Sequence, residues 1–194
     1  MRTRQRGMSI IEAVVALGIV ALVMGFAAPA AQVWIQNANL RNAAESLLNG
    51  MQTARLEALK QNKIIAFEVK DPNTAAWHVC PFDPVANTCQ ASAADLAAKP
   101  AGEGSPNVQI GLETTFTTTA TPIAPGTNVP SLVAFDSFGR IAPTSPVNIA
   151  HIDVRNTKLS TADERRLSIL VTASGQIRMC DPQLPKATNP QGCQ

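Results

Sequence analysis

The residues that could do chemistry in this sequence are few: four cysteines, two histidines and one isolated carboxylate, Glu12, inside an apolar run. Cys80, Cys89, Cys180 and Cys193 contain no C-x-x-C pair, and their spacings match no zinc pattern, so a metal site that also enlists His78 and His151 is the weaker reading. The favoured reading is two disulfides. Three pairings are possible, and Cys80–Cys89 with Cys180–Cys193 is preferred because each closes a short, proline-bearing loop with little core of its own. Each bridge would contribute about 2–4 kcal/mol, mainly by restricting the unfolded loop. His78 and His151 fall on strand-like segments and read as strand-face residues rather than as bases. There is no G-x-S-x-G, H-E-x-x-H or P-loop, and Gly102-Glu103-Gly104 is a lone G-x-G in a loop. No enzymatic activity, cofactor or metal is expected.

Glu12 poses the sharper question. From Ala13 to Ala31 the chain runs through 19 consecutive uncharged residues, mostly Ala, Val, Leu and Ile, and a bilayer core takes about 20 as helix. Arg2, Arg4 and Arg6 precede the run, which keeps its start cytoplasmic and sends the rest of the chain outward. A cleaved secretory signal would look similar, with Ala28-Pro29-Ala30 as its A-x-A site. An ionisable group in a membrane helix costs about 2.5–3.5 kcal/mol on insertion scales, which a disposable signal has no use for. A retained helix can use that charge to find a partner.

The elements that position Glu12 continue beyond the apolar run. Leu40, Ala44, Leu47, Leu48, Met51, Ala54 and Ala58 recur at three- and four-residue steps, one face of an amphipathic helix. The pattern predicts one helix from Met8 to Asn62, roughly 80 Å long at 1.5 Å per residue, with Pro29 as a kink and Gly25 loosening it.

Arg6-Gly7-Met8-Ser9-Ile10-Ile11-Glu12 resembles the class III signal of type IV pilins and pseudopilins. The resemblance implies that a prepilin peptidase cuts after Gly7, that Met8 becomes the N-methylated terminus, and that Glu12 is the subunit-assembly carboxylate. The family most often has Phe at the position of Met8 and Thr-Leu at Ser9-Ile10; Gly7 and Glu12 are intact. A carboxylate in hydrocarbon seeks a positive partner, and staggered helices would bring the Met8 amine of one subunit to Glu12 of another.

After Asn62 the pattern turns strand-like. "KIIAFEVKD" and "TAAWHVC" read as a hairpin about Pro72-Asn73. Residues 81–106, with Pro81, Pro84, Pro100, Gly102 and Gly104, read as a long surface loop. "NVQIGLETTFTTT", "SLVAFDSFGRIAP" with a turn at 136–139, "VNIAHIDVR", in which His151 and Asp153 share a face with Val147 and Ile149, and the pair in "RRLSILVTASGQIRMC" supply the rest. The predicted fold is α+β: a long N-terminal helix, a transmembrane half and an amphipathic half, packed on one antiparallel β-sheet of six or seven strands. The expected division is a leader over 1–7, an assembly helix over 8–31, its amphipathic half over 32–62 and a globular β domain over 63–194.

"ARLEALKQNKIIAFEV", "VAFDSFGRIAP" and "RRLSILVTASGQIRMC" resemble the GspH/FimT/FimU branch of minor pilins and pseudopilins, which shows an Ala-Arg-x-x-Ala helix end, a Phe-x-x-x-Gly-Arg turn and a final Gly-x-Ile/Val hairpin. The resemblance implies the pilin fold, a single pass of the bacterial inner membrane with the globular domain in the periplasm, and later incorporation into a pilus or pseudopilus. The implied partners are other pilins, through the N-terminal helix, and prepilin peptidase. The implied function is a minor pilin that initiates or caps a type IV pilus; the alternative is a pseudopilin of type II secretion. A DNA-binding minor pilin for DNA uptake is less favoured. That role uses a Gly-Arg-x-Arg patch in some members, and here Gly139-Arg140 is followed by Ile141-Ala142. The formal net charge of +2 does not point to nucleic acid either; losing residues 1–7 leaves 13 basic residues against 14 acids, a net of −1. Lys158, Arg165, Arg166 and Arg178 stand near Asp163 and Glu164 and read as a solvated surface.

Overall fold

The computed structural model describes residues 9–91, 93–115, 121–125, 131–143 and 148–193, with backbone only at 26–29. The leader arginines, Gly7 and Met8 lie outside the described residues, as do Val147, residues 116–120 and the side chain of Pro29. The chain forms two compact units, residues 1–35 and 36–194. A single helix, α1 (Ile10–Gln61), runs through both.

In the second unit, α1 buries one row of small and medium side chains. Leu40, Ala43, Ala44, Leu47, Met51, Ala54 and Ala58 are all fully buried, with Leu48 packed beside them. The helix stops at Asn62, which takes a left-handed conformation (φ 51°), while the Lys63 amide donates back to the Ala58 carbonyl at 3.3 Å. This is a helix cap that closes otherwise orphaned carbonyls.

Nine strands follow among the described residues, and they form two sheets where the sequence suggests one. The first contains β1 (Ile65–Asp71), β2 (Ala76–Asp83), β3 (Thr88–Cys89), β4 (Ala97–Lys99) and β6 (Leu132–Phe135). It runs β3-β2-β1-β6, with β4 also on the free edge of β2. The second contains β5 (Val108–Glu113), β7 (His151–Asn156), β8 (Leu167–Val171) and β9 (Ile177–Cys180), in the order β5-β7-β8-β9. Every ladder is antiparallel. One core spans both sheets: Phe67, Val79, Val133 and Phe135 from the first join Ile110, Ile152, Val154 and Ile169 from the second around the helix row.

Other expectations need correction. The segment 81–106 is not simply a loop, because β2 runs on to Asp83 and β3 and β4 pair with it. Both are so short that their few residues sit below the length at which alternation is visible. β5 ends at Glu113 and does not include Thr114 and Thr115. β7 begins at His151 and is buried on both faces, so its alternation of side-chain types does not separate core from solvent. Among the described residues, the return after the 136–139 turn is one bridge, Phe135 to Ile141.

The structure bridges Cys80 to Cys89 and Cys180 to Cys193, with no free cysteine. The second bridge returns the tail to β9, where the Asp181 amide donates to the Gln191 carbonyl at 2.8 Å and the Cys193 amide to the Asp181 carbonyl at 3.2 Å.

Candidate functional site

Two regions bear on function, and each lies within one unit. In the first unit, α1 presents apolar side chains to solvent on all sides. Ile10, Ile11, Val14, Val15, Leu17, Ile19, Val20, Leu22, Val23 and Met24 are exposed, as are Trp34 and Ile35. An exposed surface of this kind marks a membrane or protein contact. Glu12 is also exposed, and it is the only ionisable side chain between Gly7 and Arg41. Among the described residues no single helix meets the length and hydropathy needed to cross a membrane; the stretches Ile10–Gly25 and Ala30–Gln61 of α1 meet that requirement as a pair.

In the second unit, three sequence motifs that are far apart in the chain meet at one carbonyl. Asp136 builds the first part. Its Oδ1 accepts from the amides of Phe138 and Arg140, each at 2.9 Å, and its Oδ2 accepts from the Arg140 guanidinium at 3.0 Å. Burial pushes this carboxyl up, but the two backbone donors and Arg140 outweigh it and hold Asp136 below the ordinary carboxylate value. The turn so fixed places Gly139 in a left-handed conformation (φ +73°) with its carbonyl facing α1. Arg55 of the Ala54-Arg55-x-x-Ala58 helix end donates from Nε to that carbonyl at 2.9 Å. The β8–β9 turn approaches the same atom: a Cβ on Gly175, itself at φ +77°, would lie 1.9 Å from the Gly139 oxygen. The Ile141 amide donates to the Ala173 carbonyl at 3.3 Å beside it. Helix, first sheet and second sheet are therefore locked at one point. Phe138 projects from the turn, 73% exposed, with the Arg140 guanidinium 5.2 Å from its ring centre.

The second sheet also contains a buried ionic cluster that the sequence reading missed. Asp153 is 1% exposed. Its Oδ2 accepts from the Ile123 amide at 2.9 Å, and Arg166 Nε stands 3.4 Å from its Oδ1. Burial raises the Asp153 carboxyl above its ordinary value against the Ile123 amide and Arg166, and burial lowers the His151 imidazole against the Asp153 and Glu113 carboxylates. Glu164 is buried too, and its carboxylate accepts from the Asn156 amide. Arg166 and Glu164 therefore leave the solvated surface to which the sequence assigned them. A charged pair in a stretch such as "ADERRLS" gives no sign that it points inward.

The two histidines do not come together. His151 lies on β7 of the second sheet, while His78 lies on β2 of the first, beside Cys80 and Cys89.

A family model described as Type II transport protein GspH matches residues 43–175, and one described as Prokaryotic N-terminal methylation motif matches residues 2–28. A comparison with curated proteins finds no match. Among solved structures, a crystal structure of the type IV minor pilin FimU from Pseudomonas aeruginosa is similar at 17% identity and TM-score 0.49, covering 83% of this chain and 99% of that one. The solution structure of E. coli GspH is similar at 13% identity and TM-score 0.45, covering 76% of this chain and 92% of that one. The GspH match spans Arg55, Gly139 and Gly175 and well over half of the sequence, so the chain belongs to the GspH family of pilin-like subunits, minor pilins and pseudopilins, and carries the family's N-terminal methylation motif.

Proposed function

We propose that this chain is a minor pilin that initiates or caps a type IV pilus. In this reading, a prepilin peptidase cuts after Gly7 and Met8 becomes the N-methylated terminus. The helix then holds the chain in the bacterial inner membrane by a single pass, with residues 63–194 in the periplasm, and Pro29 is the point of bending. Glu12 pairs with the terminal amine of a neighbouring pilin, because an acid in hydrocarbon is far less costly paired than alone. That pairing rewards addition in one register only. The protein acts by assembly rather than by catalysis.

The observation that carries the reading is the joining of an N-terminal methylation motif to an exposed apolar stretch of α1 in which Glu12 is the only ionisable side chain before Arg41. The description of the matching family, a type II transport protein, favours a second reading in which the same subunit enters a secretion pseudopilus.

Mass spectrometry of the native amino terminus tests the processing step: N-methyl-Met8 supports it, and a start at Ala31 replaces it with a cleaved secretory signal. Glu12→Val should leave membrane insertion intact and remove the protein from sheared filaments. Normal incorporation of that variant would refute the docking role. Deleting the protein should reduce surface pili under the first reading and secreted enzymes under the second.

A further inference from the structure

One cluster outside the regions already described combines imidazole, sulfur and carboxylate. His78 on β2 is 4% exposed. Its Nδ1 lies 2.6 Å from Asp95 Oδ1, and its Nε2 lies 2.8 Å from Oε2 of Glu68, its ladder partner on β1. The same Nε2 is 3.2 Å from Cys89 Sγ. Cys80 stands two residues from His78 on β2, hence on the same face. One ligand atom from each of His78, Cys80 and Cys89 lies within 4.8 Å of the others.

While Cys80 and Cys89 are bridged, neither sulfur is free to bind a metal. Once the bridge opens, two thiolates and one imidazole nitrogen lie close to one another, and the Glu68 carboxylate stands against that same nitrogen. Two sulfurs and one nitrogen suit a four-coordinate zinc-type cation that keeps one position open to solvent. The Asp95 contact strengthens the match: metal-bound histidines usually give their other ring N–H to a carboxylate, which fixes the tautomer and aims the free nitrogen at the metal. Cys89 supplies the freedom to adjust. It lies on a two-residue edge strand and is only half-buried, so it can draw away from Cys80 until both sulfurs stand about 2.3 Å from a shared metal.

We propose that the dithiol form of this chain binds one zinc-type divalent cation through Cys80 Sγ, Cys89 Sγ and His78 Nε2, with a solvent molecule in the fourth position and Asp95 as a positioning residue. Metal and disulfide are then alternative ways of closing the 81–88 loop. A dithiol reductant opens the bridge: it supplies two electrons and two protons, the S–S bond breaks, two cysteine thiols form, and the reductant becomes a disulfide. The cation then displaces both thiol protons to solvent.

The test uses the full chain in detergent, reduced with a water-soluble phosphine and titrated with cobalt(II), then with zinc(II). The expected result is a thiolate-to-cobalt absorption band that saturates at one equivalent, is bleached by zinc, and is absent from the oxidised protein. The Cys180→Ser/Cys193→Ser chain should keep the band, and the Cys80→Ser/Cys89→Ser chain should lose it. Asp95→Asn alters a half-exposed side chain, so the fold should tolerate it; it should weaken zinc binding by roughly 10–100-fold. Zinc should also slow re-formation of the Cys80–Cys89 bridge in wild type. Absence of the band from reduced wild type, its persistence in Cys80→Ser/Cys89→Ser, or unchanged zinc affinity in Asp95→Asn would overturn the proposal.

Discussion

At Gly175 a single methyl group meets the oxygen that holds three elements together. The position needs a left-handed backbone, and its Cα faces the Gly139 carbonyl, so alanine would be strained in conformation and would clash with main chain, which cannot move aside as a flexible side chain does. Gly175→Ala should therefore destabilise the globular unit by on the order of 3 kcal/mol, read as a lower denaturant midpoint. An unchanged midpoint would show that the two turns are not in contact. Arg55, Gly139 and Gly175 were legible in the sequence as family signatures, but their meeting was not, because no local rule connects a helix end to two distant turns. Asp153 and Arg166 were less legible still. Strand alternation places Asp153 on a face, but only the strands packed on that face decide whether it is wet.

Among the elements, the apolar row of α1 was the most readable feature, because a helix shows its buried side by the spacing of its own residues. The strands could be located from their β-branched and aromatic content, yet their partners could not. Nothing in the residues of β7 names β5 and β8 as its ladder partners, and so one expected sheet became two. The join between helix and sheet has its own test. Near the start of the second unit, Asn37 Nδ2 donates to the Asp163 carbonyl and the Arg165 amide donates to Asn37 Oδ1, both at 2.9 Å. Beside it, Asn156 Nδ2 donates to Gln36 Oε1 at 2.9 Å. These bonds tie the connection between β7 and β8 to α1. Asn37→Ala removes two of them and should cost on the order of 1 kcal/mol, seen as about fivefold faster hydrogen exchange at the Arg165 amide. Exchange at the wild-type rate would mean that the connection is held elsewhere.

At the scale of the molecule, the buried row of α1 begins at Leu40, and the second unit begins at Gln36. Every residue of the main core therefore lies within 36–194. A chain starting at Gln36 should fold alone, with a cooperative thermal transition and both disulfides formed; a gradual, non-cooperative melt would show that the exposed apolar helix also supports the fold. What the sequence determined by itself is local: an apolar run with one acid behind a basic leader, a helix with one buried face, strand-forming segments, and turns marked by Asp, Asn and Gly. These follow from side-chain chemistry and from spacing along the chain. What only the tertiary structure decided is which segments become neighbours: the division into two sheets, the burial of Asp153 and Arg166, the convergence on Gly139 and the placing of His78 against a disulfide. Such contacts join residues tens of positions apart, and their energy exists only once the chain has closed around them.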